Sequence, residues 1–153
     1  MCIRDRAMTE EQIALARRAV ACRGWRWMPG MAIEGLMLTS THGLCGAPHG
    51  RVLDMRDDDG MQMVSASEYP YDDDGVPEYR WADLTHIPDL TDPATLGCLL
   101  ALVREAWGTA IIVSYSYDDG LWETMWEGAT CGGWCGRGDT EAEALVAALE
   151  DAP

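Results

Sequence analysis

Residues 92–127 read DPATLGCLLALVREAWGTAIIVSYSYDDGLWETMWE, and the change of period inside this stretch decides the fold class. Its first half is helical. Asp92 supplies an N-cap, Pro93 suits the first helical position, where a missing N–H costs nothing, and Trp107-Gly108 marks the end. Leu96, Leu99, Leu100, Leu102, Val103, Ala106 and Trp107 cover most of the circumference, and Arg104 and Glu105 are the charged residues inside it. A helix this apolar is expected to be buried on several sides, between a sheet and a second layer or at a subunit contact. From residue 110 the period drops to two. Segments 110–117 and 121–127 flank Asp119-Gly120, a dipeptide that favours a tight hairpin turn. A two-residue loop there pairs Tyr117 with Trp122, Tyr115 with Thr124 and Val113 with Trp126. Ser114, Ser116, Glu123 and Glu127 then share the opposite face, where the two glutamates are expected to be solvated.

Working outward from this core gives the remaining elements. Toward the N-terminus, residues 9–23 read as a helix opened by a capping box of Thr9 and Gln12, with Gly24 expected to close it in the left-handed conformation. Residues 25–28 are extended, 32–40 form a strand and 41–50 a Gly/His/Pro loop. Two strands, 51–55 and 61–66, flank Asp59-Gly60, which places Met55 opposite Val64 and Leu53 opposite Ala66. A Pro/Asp/Tyr-rich connection over 67–91 carries a short strand at 78–82. Toward the C-terminus, 128–138 reads as a Gly/Cys loop. Thr140 and Glu143 make a second capping box for a helix over 140–151, with Ala144, Leu145, Ala148 and Leu149 inward. The order α-β-β-β-α-β-β-α, without repeats, predicts an α+β fold: a small, mostly antiparallel sheet with helices packed on it.

The 153 residues suit one domain, and the 48% hydrophobic content supplies a core. No apolar run approaches the roughly 20 residues of a membrane span, and no apolar segment follows a basic start as in a secretory signal. The expected compartment is therefore the cytoplasm. There the six cysteines are expected to be reduced. Met1-Cys2-Ile3-Arg4-Asp5-Arg6 resembles the translation of a transposon end used in preparing sequencing libraries. Residues 1–7 are accordingly set aside as an assembly artefact or a disordered tail, and 8–153 are expected to form the globular domain.

All eleven basic residues are Arg, and Lys, Asn and Phe are absent, which matches a gene of high GC content rather than selection for guanidinium chemistry. The net charge of −15 is uneven. Residues 1–56 hold eight Arg and five acids, net +3, whereas 57–153 hold three Arg and 21 acids, net −18. Such a chain repels nucleic acid and anionic membranes and attracts basic partners. Direct nucleic-acid binding and membrane association are not expected.

The best chemical candidate in the sequence is His42, Cys45 and His49 with Cys131 and Cys135. These are zinc-type ligands in two Gly-rich loops, and four of the five would complete a tetrahedron if the loops met. The Asp57-Asp58-Asp59-Gly60 and Asp72-Asp73-Asp74-Gly75 runs are turns rather than calcium loops. Aligned on their glycines, they carry Met55 and Pro70 at the first ligand position and Ala66 and Trp81 at the last. Cys22 and Cys98 lie in apolar helices without an activating base and are expected to pack rather than react. No nucleophile elbow, phosphate-binding loop, dinucleotide fingerprint or zinc-protease motif occurs. With no Lys, Schiff-base and P-loop lysine chemistry are excluded, and no catalytic residue is assigned. The tryptophans at 25, 27, 81, 122 and 126 are expected to serve the core and the hairpin rather than to stack on bases, because the later aromatics sit among acids.

Three blocks carry a likeness: RAVACRGWRWMPGM at 18–31, PDLTDPATLGCLL at 88–100 and TEAEALVAAL at 140–149. They resemble segments of uncharacterised bacteriophage proteins, and the helix, hairpin and final helix are similar to the phage ABA-sandwich domain. The resemblance covers about a quarter of the chain, and the stretch between residues 31 and 87 has no counterpart in it. It implies a phage or prophage origin and an α/β/α arrangement, and it brings no site residues with it. The functional expectation is a non-enzymatic accessory protein acting through protein contacts. The alternatives are a zinc-stabilised binding module and an acidic mimic of nucleic acid that occupies a basic host protein.

Overall fold

The computed structural model describes residues 8–34, 49–58, 61–66, 80–81, 86–126 and 133–153, with backbone alone for 34, 49–50, 53–58, 61–66 and 80–81. The fold is α+β, and the expected helices and strands follow one another in the expected order, with short strands added to it at Arg80–Trp81 and Ile87–Pro88 and a further strand at Trp134–Gly138. Helix α1 spans Glu10–Ala21, α2 Pro93–Trp107 and α3 Glu141–Glu150. Strands β1 (Ala32–Glu34), β2 (His49–Asp58), β3 (Met61–Ala66), β4 (Arg80–Trp81) and β5 (Ile87–Pro88) form a sheet in the order β4-β3-β2-β1-β5. Strands β6 (Ile111–Ser116), β7 (Leu121–Trp126) and β8 (Trp134–Gly138) form a second sheet in that order. All described pairings are antiparallel.

The helices start where their caps place them. The Thr9 hydroxyl accepts from Gln12 N, and the Gln12 side chain accepts from Thr9 N, closing one capping box. Thr140 and Glu143 close the other in the same way. Each box satisfies amide donors that the first helical turn leaves without partners, an effect of about 1 kcal/mol per cap. Gly108 ends α2 in the left-handed conformation, as expected. The end of α1 differs from expectation: Cys22 caps it in an extended conformation. Gly24 instead serves a close approach, since a Cβ there would stand 3.1 Å from Leu149 Cδ1 of α3.

Helix α3 is the most enclosed element. Ala142, Ala144, Leu145, Val146, Ala148 and Leu149 are all buried, and α3 packs on β7, β8, α1 and α2. The expectation of burial on several sides, made for α2, therefore describes α3 better. On α2, Leu99, Leu102, Val103 and Thr95 are buried, while Ala94, Gly97 and Ala101 lie in an exposed stripe with Arg104 and Glu105. Leu96, Leu100, Ala106 and Trp107 are half-buried, so the broad apolar surface of α2 is only partly covered. Trp107 locks α2 to α3 by donating from Nε1 to Ala148 O at 2.7 Å. The core continues through Ala16 and Ala19 of α1 to Met31, Ile33, Val52, Ile87 and Leu90 beside the first sheet. Full burial of one such aliphatic side chain stabilises the fold by about 1.5–3 kcal/mol.

Strand β8 falls inside the segment expected to be loop, and its glycines explain the misreading. Gly136 and Gly138 face α3. A Cβ on Gly136 would strike Ala144 O and approach Ala148 N at 2.5 Å, and a Cβ on Gly138 would strike Glu143 Cβ. Glycine at alternate strand positions creates a flat strip on which a helix backbone can lie. Thr124, fully buried on the neighbouring strand, donates to Gly136 O at 3.1 Å.

A polar node joins the first sheet to α2. Asp92 caps the helix by accepting from Thr95 N at 2.9 Å and from the Thr95 hydroxyl at 3.1 Å. Arg51 of β2 grips the same carboxylate at 2.8 and 3.1 Å and also donates to Gly30 O. Thr95 Oγ1 in turn accepts from Ala32 N of β1 at 2.8 Å. The Arg51 guanidinium, assisted by the Thr95 bonds, holds the Asp92 carboxyl down from 3.8 to about 2.

Candidate protein-contact surface

The β6–β7 hairpin keeps the expected faces in a different register. Ser116 pairs with Leu121, Tyr115 with Trp122, Val113 with Thr124 and Ile111 with Trp126. The loop is therefore four residues, 117–120, closed by Gly120 N donating to Ser116 O at 2.8 Å with Gly120 at φ 69°. The slip from the two-residue reading is two positions. Because side chains alternate with period two, a slip of two leaves every residue on its predicted face. In the first hairpin, Met55 opposes Val64 as expected, but an irregularity between Val52 and Asp54 puts Val52 opposite Ala66 in place of Leu53. A bulged residue gives no sign of itself in an alternating sequence.

One face of the β6–β7 hairpin changes character along its length. Near its base Ile111 and Thr124 are fully buried against the helical layer, and Trp126 stacks on Trp107 of α2 with centroids 6.2 Å apart. Toward the turn the same face is uncovered. Tyr115 packs edge-on against Trp122 at 5.6 Å and against Tyr117 at 5.2 Å. Tyr115 is 42% exposed and Tyr117 90% exposed. A contiguous row of rings thus meets solvent, bordered by the exposed Asp118 and Asp119.

The opposite face carries a charged cluster that the sequence reading places in water. Glu123 is buried, and its carboxylate meets the Arg137 guanidinium at 2.8 Å. Arg137 also reaches Asp119 at 2.7 Å and lies 4.1 Å above the Trp134 ring. The strand that supplies both Arg137 and Trp134 is β8, so reading 128–138 as a loop conceals the partners that enclose Glu123. Glu127 lies outside the described residues. Ile112 and Trp134, at 47% and 44% exposure, flank this cluster.

The residues nominated as zinc ligands are only partly placed. His42, Cys45 and Cys131 lie outside the described residues. His49 opens β2 opposite Glu34, with its side chain outside the described set. Cys135 is a core residue of β8, and burial pushes its thiol up while the Thr124 hydroxyl opposes that rise. Among the described residues no group of three or more His, Cys, Asp or Glu is arranged to hold a metal ion. Cys22 and Cys98 are half-buried and free. Burial raises both thiols, so neither is primed as a nucleophile.

A groove of about 490 Å³ opens at the C-terminal ends of α1 and α3, lined by Arg18, Cys22, Arg23, Leu149 and Glu150 among others. Arg18 is already engaged bidentately with Glu150 at 2.7 and 2.9 Å. The helix ends add partial negative charge, and Cys22 donates its thiol proton to Arg18 O at 3.3 Å. The groove assembles no acid–base pair or activated nucleophile. Among the described residues no helix is long and apolar enough to cross a membrane. No family model, curated protein or solved structure matches the chain, so the reading of function rests on the chemistry of its own surface.

Proposed function

We infer that this chain is an accessory protein of phage or prophage origin that acts by protein contact, and that it receives a positively charged partner on the β6–β7 hairpin. The phage assignment rests on the likeness of residues 18–31, 88–100 and 140–149 to small phage proteins, together with the α/β/α arrangement that likeness implies. The observation that carries the contact reading is the row Trp122, Tyr115 and Tyr117, packed ring to ring with both tyrosines open to solvent beside Asp118 and Asp119. Aromatic rings with limited rotamer freedom make efficient contact anchors. A net charge of −15 selects cations for them. The stacking of Arg137 on Trp134 is an internal instance of the contact proposed.

The test is titration of the whole chain with an arginine-rich peptide, followed by the Tyr115→Ser/Tyr117→Ser variant. Each exposed cation–π contact is worth about 0.5–1 kcal/mol, so losing two weakens binding by about 5–30-fold. Salt weakens it further. Equal affinity of wild type and variant, with unchanged melting, rules the surface out. Direct binding of duplex DNA to the chain alone would reveal a cationic site on this protein and would overturn the reading. Capture instead of a basic DNA-binding protein, released by competing DNA, would make the contact one of nucleic-acid mimicry.

A further inference from the structure

We propose that the outer edge of β6 takes up an extended, positively charged segment of a partner protein as an added β-strand. The proposal rests on the contact reading above and specifies how the partner binds. Sheet edges expose unpaired amides and carbonyls, and proteins blunt them with short strands, charges, prolines or bulges. Among the described strands, three of the four sheet edges are treated in that way. Strands β4 and β5 are two residues long. Strand β8 has a register shift and carries Arg137 and two glycines. Strand β6 has none of these devices: its six residues, IIVSYS, are uncharged, and their pairing with β7 runs unbroken from Ile111 to Ser116.

The hydrogen-bond directions identify which groups are open. Ser116 O accepts from Gly120 N inside the hairpin. In an antiparallel ladder successive residues alternate in direction, so Ser116, Ser114 and Ile112 turn toward β7, and Ile111, Val113 and Tyr115 turn outward. Arg104 of α2 supports this assignment, because its Nε and Nη2 both donate to Ile111 O, at 3.0 and 2.9 Å. That capping closes one end of the edge. The N–H and C=O of Val113 and Tyr115 remain, and no described residue bonds them.

Charge and side chains select the occupant. A strand laid along Val113 and Tyr115 runs beside the exposed Tyr115 and Tyr117 rings on one face and Ile112 on the other. Its end meets Asp118, which has no ion-pair partner among the described residues. Among the described residues, Arg104 sits at the opposite end and is engaged by Ile111 O, and Arg137 is engaged by Asp119 and Glu123. Alternating cationic side chains would therefore lie over the tyrosines as Arg137 lies over Trp134. A second copy of the chain could present its own β6, but it would bring a further net charge of −15 to the edge.

The whole chain is titrated with a ten-residue peptide alternating Arg and Val, with the same peptide N-methylated throughout, and with a Glu-for-Arg counterpart. Amide exchange at Val113 and Tyr115 is followed in parallel. The Arg peptide is expected to bind and to slow exchange at both amides by about tenfold or more, and N-methylation is expected to weaken binding by at least as much. Equal binding of parent and methylated peptides, with no protection, overturns strand addition and leaves the basic-partner reading standing. Failure of all three peptides to bind overturns both. A dimer in sedimentation that the Tyr115→Lys variant dissolves assigns the edge to a second copy, and overturns the proposal.

Discussion

Replacing Asp92 by Asn separates the charge of the β2–α2 node from its role as a helix cap. Asn is as good an N-cap as Asp, so the bond from Thr95 N survives the change. What is lost is the ionic grip of Arg51 on the carboxylate. The Asp92 side chain is 4% exposed, so solvent screens it little on its own side, although Arg51 is more open. Lowering the carboxyl from 3.8 to about 2 corresponds to about 2.5 kcal/mol of stability, at 1.36 kcal/mol per pKa unit. Folding lowers this pKa, so the native state favours the ionised form. The contribution is complete above the unfolded value near 3.8 and is lost as pH falls through about 2. The assay is urea unfolding of wild type and Asp92→Asn from pH 7 downward. The difference in stability is expected to be about 2.5 kcal/mol at pH 7 and to fall to about half of that by pH 3. A difference that is negligible at pH 7, or constant from pH 7 to pH 3, refutes the assignment of this energy to the ionised pair. The exposed pairs Arg18–Glu150 and Arg26–Glu105 belong to a class worth about 0–1 kcal/mol each, which is why the buried carboxylate is the informative one.

Two further outcomes test the packing. Gly136→Ala forces a methyl into the backbone of α3 at Ala144 and Ala148 and should lower stability by about 3 kcal/mol or more. Gly97→Ala, on the exposed side of α2 with nothing within 4 Å of the new methyl, should raise it by about 0.5–1 kcal/mol; both are read by thermal or urea melts, and a reversed order would contradict the packing described. Because Cys135 is packed in the core, a strong zinc chelator should leave the melting temperature unchanged, and a drop of several degrees would restore the candidate site of His42, Cys45, His49, Cys131 and Cys135.

The parts of the fold that were legible depend on local chemistry. Thr9 with Gln12, Asp92 with Pro93, and Thr140 with Glu143 fix three helix starts through short-range hydrogen bonds that the residue types alone imply. Alternation over 111–126 fixes which side chains share a face, independently of register. The features that escaped are set by tertiary contact. The choice between a two- and a four-residue loop at 117–120 turns on one residue with positive φ, and Gly120 satisfies either reading. The role of β8 depends on α3 lying against Gly136 and Gly138, so the glycines that suggest a loop are the ones that admit the helix. Their spacing of two, followed by a helix rich in Ala, is the signal that would have disclosed the strand. Glu123 was misplaced for the same reason, because its partner Arg137 arrives on that strand. The metal candidates His42, Cys45 and Cys131 lie outside the described residues, so the site proposed from their spacing stands apart from the geometry described for Cys135.

The central claim is that the hairpin face and β6 edge are where this protein meets its partner. The direct measurement is residue-resolved amide chemical-shift mapping of the whole chain on titration with the alternating Arg/Val peptide. The claim predicts shifts concentrated at residues 111–122, with the largest at Val113, Tyr115 and Tyr117. Shifts centred instead on Arg18, Cys22 and Glu150 at the helix-end groove, or spread evenly over the acidic surface, would contradict it.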